Sequence, residues 1–311
     1  MKQKKPPVIP PTAPASQPFS YQYHDFLLDR QPELLDALRR NATTAPAVQP
    51  LSYQYHDFLL DRQPELLDAL RRDATAGRAN AQYLMGMMYA EGHHLPQDTE
   101  LALHWLERAA KQGHLDAQLD LGLLCLESGD AEGGRQWLII AGAGGSAQAQ
   151  YQLFRYYFEG QYGAPDYSQA MEWLEWAAQG GVVEAQDALG SLYLYGENVP
   201  EDRKKARYWL RKAAAKSLPQ AQYHLGLLYL SEPAPTTRQR NSGLQWLSKA
   251  ARANFAQAQF MLGVYLLQGN ASKADIVEAR FWLEQATVRG ITDAAEYLQK
   301  WEASSAAKKT E

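Results

Sequence analysis

Few residues of this chain have a type and spacing that could do chemistry. His93 and His94 are adjacent imidazoles, but neighbouring side chains rarely converge on one ion, and no Cys or carboxylate follows them at ligand spacing. His24 and His56 are copies of one residue in a duplicated segment, and His104, His114 and His224 are scattered; each reads as a packing or surface residue. Cys125 is the single cysteine. It has no base assigned to it and stands where its counterparts are mostly tyrosines, the place of a small buried hydrophobe. Gly144-Gly145-Ser146 reads as a helix end, and no zincin, phosphate-loop, nucleophile-elbow or dinucleotide motif occurs. The expectation is a non-enzymatic chain with no catalytic, cofactor-binding or metal-binding residues.

The elements that would position any binding residues are repeats. The dipeptide Ala-Gln recurs at Ala81, Ala117, Ala149, Ala185, Ala221 and Ala258, at spacings of 36, 32, 36, 36 and 37 residues, a period that marks stacked helix pairs. Four residues after each Ala comes Met85, Leu121, Leu153, Leu189, Leu225 or Leu262, and eight after it Tyr89, Cys125, Tyr157, Tyr193, Tyr229 or Leu266. That step puts both on one face of a first helix, A. Between them lies Gly86, Gly122, Gly190, Gly226 or Gly263, a residue unfavourable inside a helix unless a neighbour presses close. Repeat three has Phe154 there, expected to force a local change of spacing.

A second helix, B, is centred on Trp105, Trp137, Trp173, Trp209, Trp246 or Trp282, always followed by Leu. Three residues before each Trp is Ala or Gly, read as a shallow seat for the indole. On that reading the Trp ladder is structural, and Trp209→Ala is expected to cost about 3 to 5 kcal/mol. Seven residues before the Trp, an Asp (Asp98, Asp130, Asp166, Asp202 or Asp275, but Gln239 in repeat five) suits a helix N-cap. Eight after it, Gly113, Gly145, Gly181, Ser217, Asn254 or Gly290 suits a left-handed helix end.

The pattern Ala-x-x-x-Leu-Gly-x-x-Tyr followed by Trp-Leu-x-x-Ala-Ala-x-x-Gly resembles the Sel1-like repeat, a relative of the tetratricopeptide repeat, over residues 79 to about 293. The resemblance implies an all-α, right-handed α-solenoid of stacked antiparallel helix pairs and a scaffold or adaptor role in protein complexes, with no chemistry of its own. The repeats are delimited as about 79–116, 117–148, 149–184, 185–220, 221–257 and 258–293, with 294–311 as a C-terminal capping helix and polar tail.

Ahead of the array, residues 12–43 and 44–75 are tandem units differing at three positions, Ser16/Val48, Phe19/Leu51 and Asn41/Asp73. Only the second is followed by Gly77 at the same four-residue step to an array Ala as Gly113. Residues 52–78 are therefore expected to form an N-terminal capping helix starting at Pro64. Residues 1–51, Pro-rich and holding the first copy, are expected to be a disordered leader with a loose spare helix.

Hydrophobic residues make up 46% and charged residues 21% of the 311 positions, enough apolar material for an extensive core. The 31 Lys and Arg against 35 Asp and Glu give a net charge of −4, without the broad positive field that nucleic acid requires. No membrane insertion is expected, since no stretch reaches the roughly 20 apolar residues a membrane helix needs. A lone cysteine and a proline-broken start lacking a signal-type apolar run suit the cytoplasm.

In tetratricopeptide-like arrays the positions two, six and nine residues after the repeat Ala face the concave surface. Here they give Tyr83, Met87, Tyr151, Arg155, Phe158, Tyr223 and Phe260 as candidate partner-binding residues, edged by Glu91, Glu127 and Glu159. The same stripe also satisfies a packing role. The favoured reading is a scaffold holding a partner peptide or helix on that face. A regulatory subunit that modulates an enzyme, with the spare N-terminal helix as an autoinhibitory plug, is the alternative.

Overall fold

Every Ala-Gln of the sequence pattern lies in the first turn of a helix. In a computed structural model of the chain, residues 64–160, 162–268 and 272–307 are described. They form α1 (Pro64–Thr75), α2 (Ala79–Glu91), α3 (Thr99–Lys111), α4 (Leu115–Glu127), α5 (Ala131–Ala143), α6 (Ala147–Glu159), α7 (Tyr167–Gln179), α8 (Val183–Tyr195), α9 (Arg203–Ala215), α10 (Pro219–Leu230), α11 (Thr237–Arg252), α12 (Ala256–Leu266), α13 (Lys273–Val288) and α14 (Thr292–Ala307). Among the described residues there is no strand. The leader and the first duplicated unit, and with them the plug reading, lie outside the described residues.

Two compact units divide between Ala170 and Met171, inside α7. In the first, each helix from α1 to α6 packs on the next; in the second the same holds from α8 to α14, and α8 also touches α10. This is the expected α-solenoid arrangement of consecutive helix pairs. The even-numbered helices α2 to α12 are the A helices of the repeats and the odd-numbered α3 to α13 the B helices.

The core forms where A meets B. A Cβ at Gly86, Gly122, Gly190, Gly226 or Gly263 would lie between 2.6 and 2.9 Å from the Cγ of Leu106, Leu138, Leu210, Leu247 or Leu283. In these five repeats the Leu after the Trp drives into a gap that only Gly leaves open, and these leucines are buried at 0–1% exposure. The expectation that the Trp is the buried member needs correction: five of the six indoles are only half-buried, and Trp282 alone is 9% exposed. Nor does the small residue before the Trp seat the indole in repeats two and five. Gly134 and Gly243 instead face Leu126 and Leu230 of the preceding A helix, whose Cγ atoms would lie 2.7 and 2.6 Å from an added Cβ.

Helix ends follow local chemistry. Asp98, Asp130, Asp166 and Asp202 accept N–H bonds at the starts of their B helices. In the last two repeats helix B begins one turn earlier. Thr236 and Ser272 are the caps, and Gln239 and Asp275 complete capping boxes as the third helical residue. Asp275 is therefore a reciprocal partner of the cap and not the cap itself. At the opposite ends, Ser217 and Asn254 adopt φ of 63° and 65° where other repeats use Gly, so the left-handed exit survives without glycine.

The Gln of each Ala-Gln joins one repeat to the previous one. Gln82, Gln118, Gln150, Gln186, Gln222 and Gln259 are all buried, and each Nε2 donates to the carbonyl eight residues earlier, in the last turn of the preceding helix. Each of these carbonyls also accepts the backbone N–H three residues on, and the amide adds a second bond that Leu or Met could not. Gln186→Met, which keeps the volume, is expected to lower stability by about 0.5–1.5 kcal/mol, the net worth of one hydrogen bond. A chemical denaturation midpoint unchanged from wild type would show that the bond to Ala178 carries no stability.

A helix packs on each end of the array. Leu70 and Ala74 of α1 are fully buried against Ala81, Leu84, Met85 and Met88, with Leu67 half-buried beside them. At the C-terminal end, Ala294 of α14 is buried in the cluster of Leu267, Leu283 and Ala286, with Tyr297, Leu298 and Trp301 packed on it.

Candidate protein-interaction face

The sequence stripe separates by position once the helices are stacked. Residues two after the repeat Ala lie at the seam between successive A helices. Tyr83 is 4% exposed, stacks on the His114 ring at 4.6 Å and donates its hydroxyl to Asp120 Oδ2 at 2.8 Å. Asp187, 3% exposed, meets His224 Nδ1 at 2.8 Å across the same 37-residue step. Phe260 meets Tyr297 edge-on at 6.1 Å, again 37 positions away. A polar or aromatic clasp thus recurs with its partners exchanged, and Tyr83 belongs to packing between repeats one and two.

The nine-after position also turns inward in several repeats, with Leu194, Leu230 and Leu267 at 7%, 8% and 4% exposure. Phe158 remains half-buried, its ring 5.1 Å from Phe154 and 5.5 Å from Tyr167. Phe154, in place of the usual Gly, is 7% exposed and also stacks with Tyr151 at 5.8 Å. The half-buried Tyr151 and Phe158 therefore flank a ring that the repeat pattern does not otherwise contain.

The six-after position keeps the most surface. Met87 and Leu227 are half-buried and Arg155 is exposed, pairing with Glu159 at 2.9 Å. Glu91, Glu127 and Glu159 are all exposed. Tyr223 is half-buried between His224 and Phe255, with ring centroids 5.4 Å from each.

In the second unit the A helices leave an open depression of about 450 Å³, bounded by Leu194, Tyr195, Leu227 and Tyr265, with Glu201, Arg203 and Ser231 along its side. Tyr195 is 51% exposed. Partial burial, with Tyr223, Asp187 and Glu197 nearby, pushes its phenol up to about 12. Burial likewise raises the Tyr265 phenol. Both hydroxyls are neutral donors at physiological pH. Arg203 is held in place by the Leu228 carbonyl at 2.8 Å and by Glu232 at 3.4 Å.

Sequence reasoning passed over Tyr195 and Tyr265. Tyr195 stands ten after its Ala, the position that holds Glu91, Glu127 and Glu159 in the first three repeats; that replacement of acid by aromatic was the available signal. Tyr265 stands seven after its Ala, a position outside the stripe.

The candidates for chemistry have other occupations. His93 Nδ1 lies 3.2 Å from Glu91, while His94 takes a φ of 59° in the loop. His114 caps α4, its Nδ1 accepting from the Ala117 N–H at 3.2 Å, and burial lowers its pKa. Cys125 is buried, and desolvation, then Asp130 and Glu107, push its thiol up, away from the thiolate a nucleophile needs. Among the described residues no three His, Cys, Asp or Glu side chains are grouped to hold a metal ion. Among them too, no helix is long and apolar enough to cross a membrane.

Asp120 carries the largest carboxyl perturbation of this face. Burial dominates and, with Asp116 and Glu91 adding repulsion, outweighs the Tyr83 hydrogen bond and raises its pKa from 3.8 to about 6. The folded protein therefore holds a proton between those values that the unfolded chain has released. Stability falls as pH rises from about 4 to 6, by about 1–3 kcal/mol from this group. Asp120→Asn, which retains an acceptor for Tyr83, is expected to flatten that slope and to be more stable than wild type at pH 7.5. Thermal melts across the range check this; the same slope in the variant would assign it to other carboxyls.

Stacked antiparallel helix pairs with buried Gly–Leu crossings and a left-handed exit from each B helix define a helical-repeat solenoid. The chain belongs to the Sel1 repeat family, whose profile matches at residues 79–114, 115–146, 147–182, 183–218, 219–255 and 256–287. Repeats of this family generally serve as protein–protein interaction scaffolds. Among solved structures, a protective antigen of uropathogenic Escherichia coli with an SLR fold is 29% identical, with a TM-score of 0.71 over 85% of this chain and 58% of that one. This chain thus spans under two thirds of that antigen's length. A Sel1 repeat protein from Oxalobacter formigenes is 24% identical, with a TM-score of 0.59 over 76% of this chain and 99% of its own. No curated protein matches.

Proposed function

We propose that this chain is a non-catalytic scaffold that holds an extended or helical segment of a partner protein against the exposed face of its A helices. The observation that carries the reading is the depression in the second unit, whose lining combines Tyr195 and Tyr265 with Leu194 and Leu227. Aromatic rings with a free hydroxyl beside an apolar floor are the usual anchors of a protein interface. The half-buried Tyr151 and Phe158 supply a comparable aromatic surface in the first unit. There the exposed Glu91, Glu127 and Glu159 favour approach of a partner segment carrying positive charge, affecting encounter rate more than affinity.

The partner is first identified by affinity capture with the full chain and then purified. Amide hydrogen exchange of the complex is expected to show added protection in α8, α10 and α12. Protection confined to the B helices would overturn the A-face reading.

A further inference from the structure

The exposed side of the B helices in repeats four and five carries a charge distribution that the A-face reading does not use. Residues 203–252 contain eleven Lys and Arg and a single acid, Glu232, in a chain of net charge −4. Residues 79–170, by contrast, contain eleven acids and four Lys and Arg. We propose that the outward face of α9 is a second docking surface, one that takes an acidic segment of a partner protein.

The geometry of α9 supports this. Lys204, Arg207, Tyr208, Arg211, Lys212 and Ala215 line an open groove of about 520 Å³ along the helix. Tyr208 is 54% exposed, and Lys204, Arg211 and Lys212 are exposed as well. Lys212 lies 4.6 Å over the Tyr208 ring and 4.9 Å over that of Trp209, which holds its ammonium on this face rather than in free solution. Successive cations three and four residues apart share one side of a helix.

A carboxylate already shows how the base of this helix receives one. Glu232 Oε1 accepts from Arg207 at 3.1 Å and from Arg203 at 3.4 Å. Those two guanidiniums are committed to it. Lys204, Arg211 and Lys212 make no ion pair among the described residues, and the exposed Arg238, Arg240, Lys249 and Arg252 of α11 add to the positive field in the same unit.

Charge selects a short acidic peptide over a long polyanion. Screening confines each cation's influence to about 8 Å at physiological salt, so a few carboxylates laid along α9 gain its field locally. Nucleic acid or an anionic bilayer needs a broad positive field, which a chain of net charge −4 does not supply. The 13 residues of α9 run about 20 Å, matching about six residues of extended peptide. This surface is separate from the A-helix face, and its test does not depend on that face.

The test titrates fluorescein-labelled hexaglutamate into the full chain and follows anisotropy. Saturable binding that weakens about tenfold or more in a Lys204→Gln/Arg211→Gln/Lys212→Gln variant is expected, the scale set by charge pairs at an interface. Thermal melts of that variant should match wild type, since all three side chains are exposed. A second variant, Lys204→Arg/Lys212→Arg, keeps the charge and should keep the affinity. Tyr195→Leu/Tyr265→Leu should bind the peptide as wild type does, which separates this surface from the A face. The proposal is overturned by absence of saturable binding, or by equal affinity in the glutamine variant. Tighter binding of single-stranded DNA of equal charge, or of phosphatidylserine vesicles, would also overturn it and name a different polyanion.

Discussion

Leu210→Ala is expected to destabilise the second unit by about 2–5 kcal/mol, the range for emptying a fully buried leucine site. Leu210 has 0% exposure and its Cγ faces the bare Cα of Gly190, where an added Cβ would lie 2.6 Å away. Gly190→Ala alone gains helix propensity of about 1 kcal/mol, yet the methyl must displace the leucine, so a net loss of about 1–3 kcal/mol is expected from overpacking. The combined variant should cost less than the two together by at least about 0.5 kcal/mol, because the new methyl occupies part of the space that Leu210 vacates. Chemical denaturation followed by far-ultraviolet circular dichroism measures all three. Trp209→Ala is the informative comparison. Its indole is half-buried under Lys212, so its loss is expected to be smaller than that of Leu210. A larger loss for Trp209 would return the structural role to the tryptophan ladder.

The repeat register and the helix pairs were legible because each rests on local chemistry. Ala-Gln, Gly before the Tyr, Asp before the B helix and Gly after it report backbone demands that a sequence displays directly. Which side of a residue faces a neighbour was less legible. Trp and Leu are adjacent in every B helix, and periodicity marked both as apolar; in five repeats the crossing with the A-helix glycine is what admits the Leu to the core. The shifted caps of α11 and α13 were hidden for a related reason. Gln239 and Asp275 hold the third position of a capping box, so a residue aligned with the cap of other repeats serves a different role one turn inside.

The burial of the individual stripe residues was not legible in the sequence. Tyr83 and Tyr223 occupy the same repeat position, yet Tyr83 is buried by its bond to Asp120 of the next repeat, and Tyr223 is only half-buried. The difference lies in the residue 37 positions on, Asp120 for one and Phe260 for the other at 37 positions from Tyr223; a single repeat read by itself does not contain it. Tyr195 occupies the repeat position that Glu91, Glu127 and Glu159 hold in the first three repeats, and a stripe counted two, six and nine after the Ala does not include it. The positive face of α9 was masked by the near balance of 31 cations and 35 acids over the whole chain.

Calorimetric titration of the purified partner into the Tyr195→Leu/Tyr265→Leu variant tests the scaffold reading most directly. Leu preserves much of the apolar packing but removes the flat ring and the hydroxyl that make Tyr an interface anchor. Thermal melts on the same protein separate a binding defect from a folding one, and Tyr83→Leu, which breaks the buried clasp with Asp120, serves as the variant expected to lose stability instead. The account predicts that the double variant melts close to wild type and binds its partner more than about tenfold weaker, a loss of at least about 1.4 kcal/mol. Wild-type affinity in a well-folded double variant would contradict the assignment of the A-helix depression as the partner site.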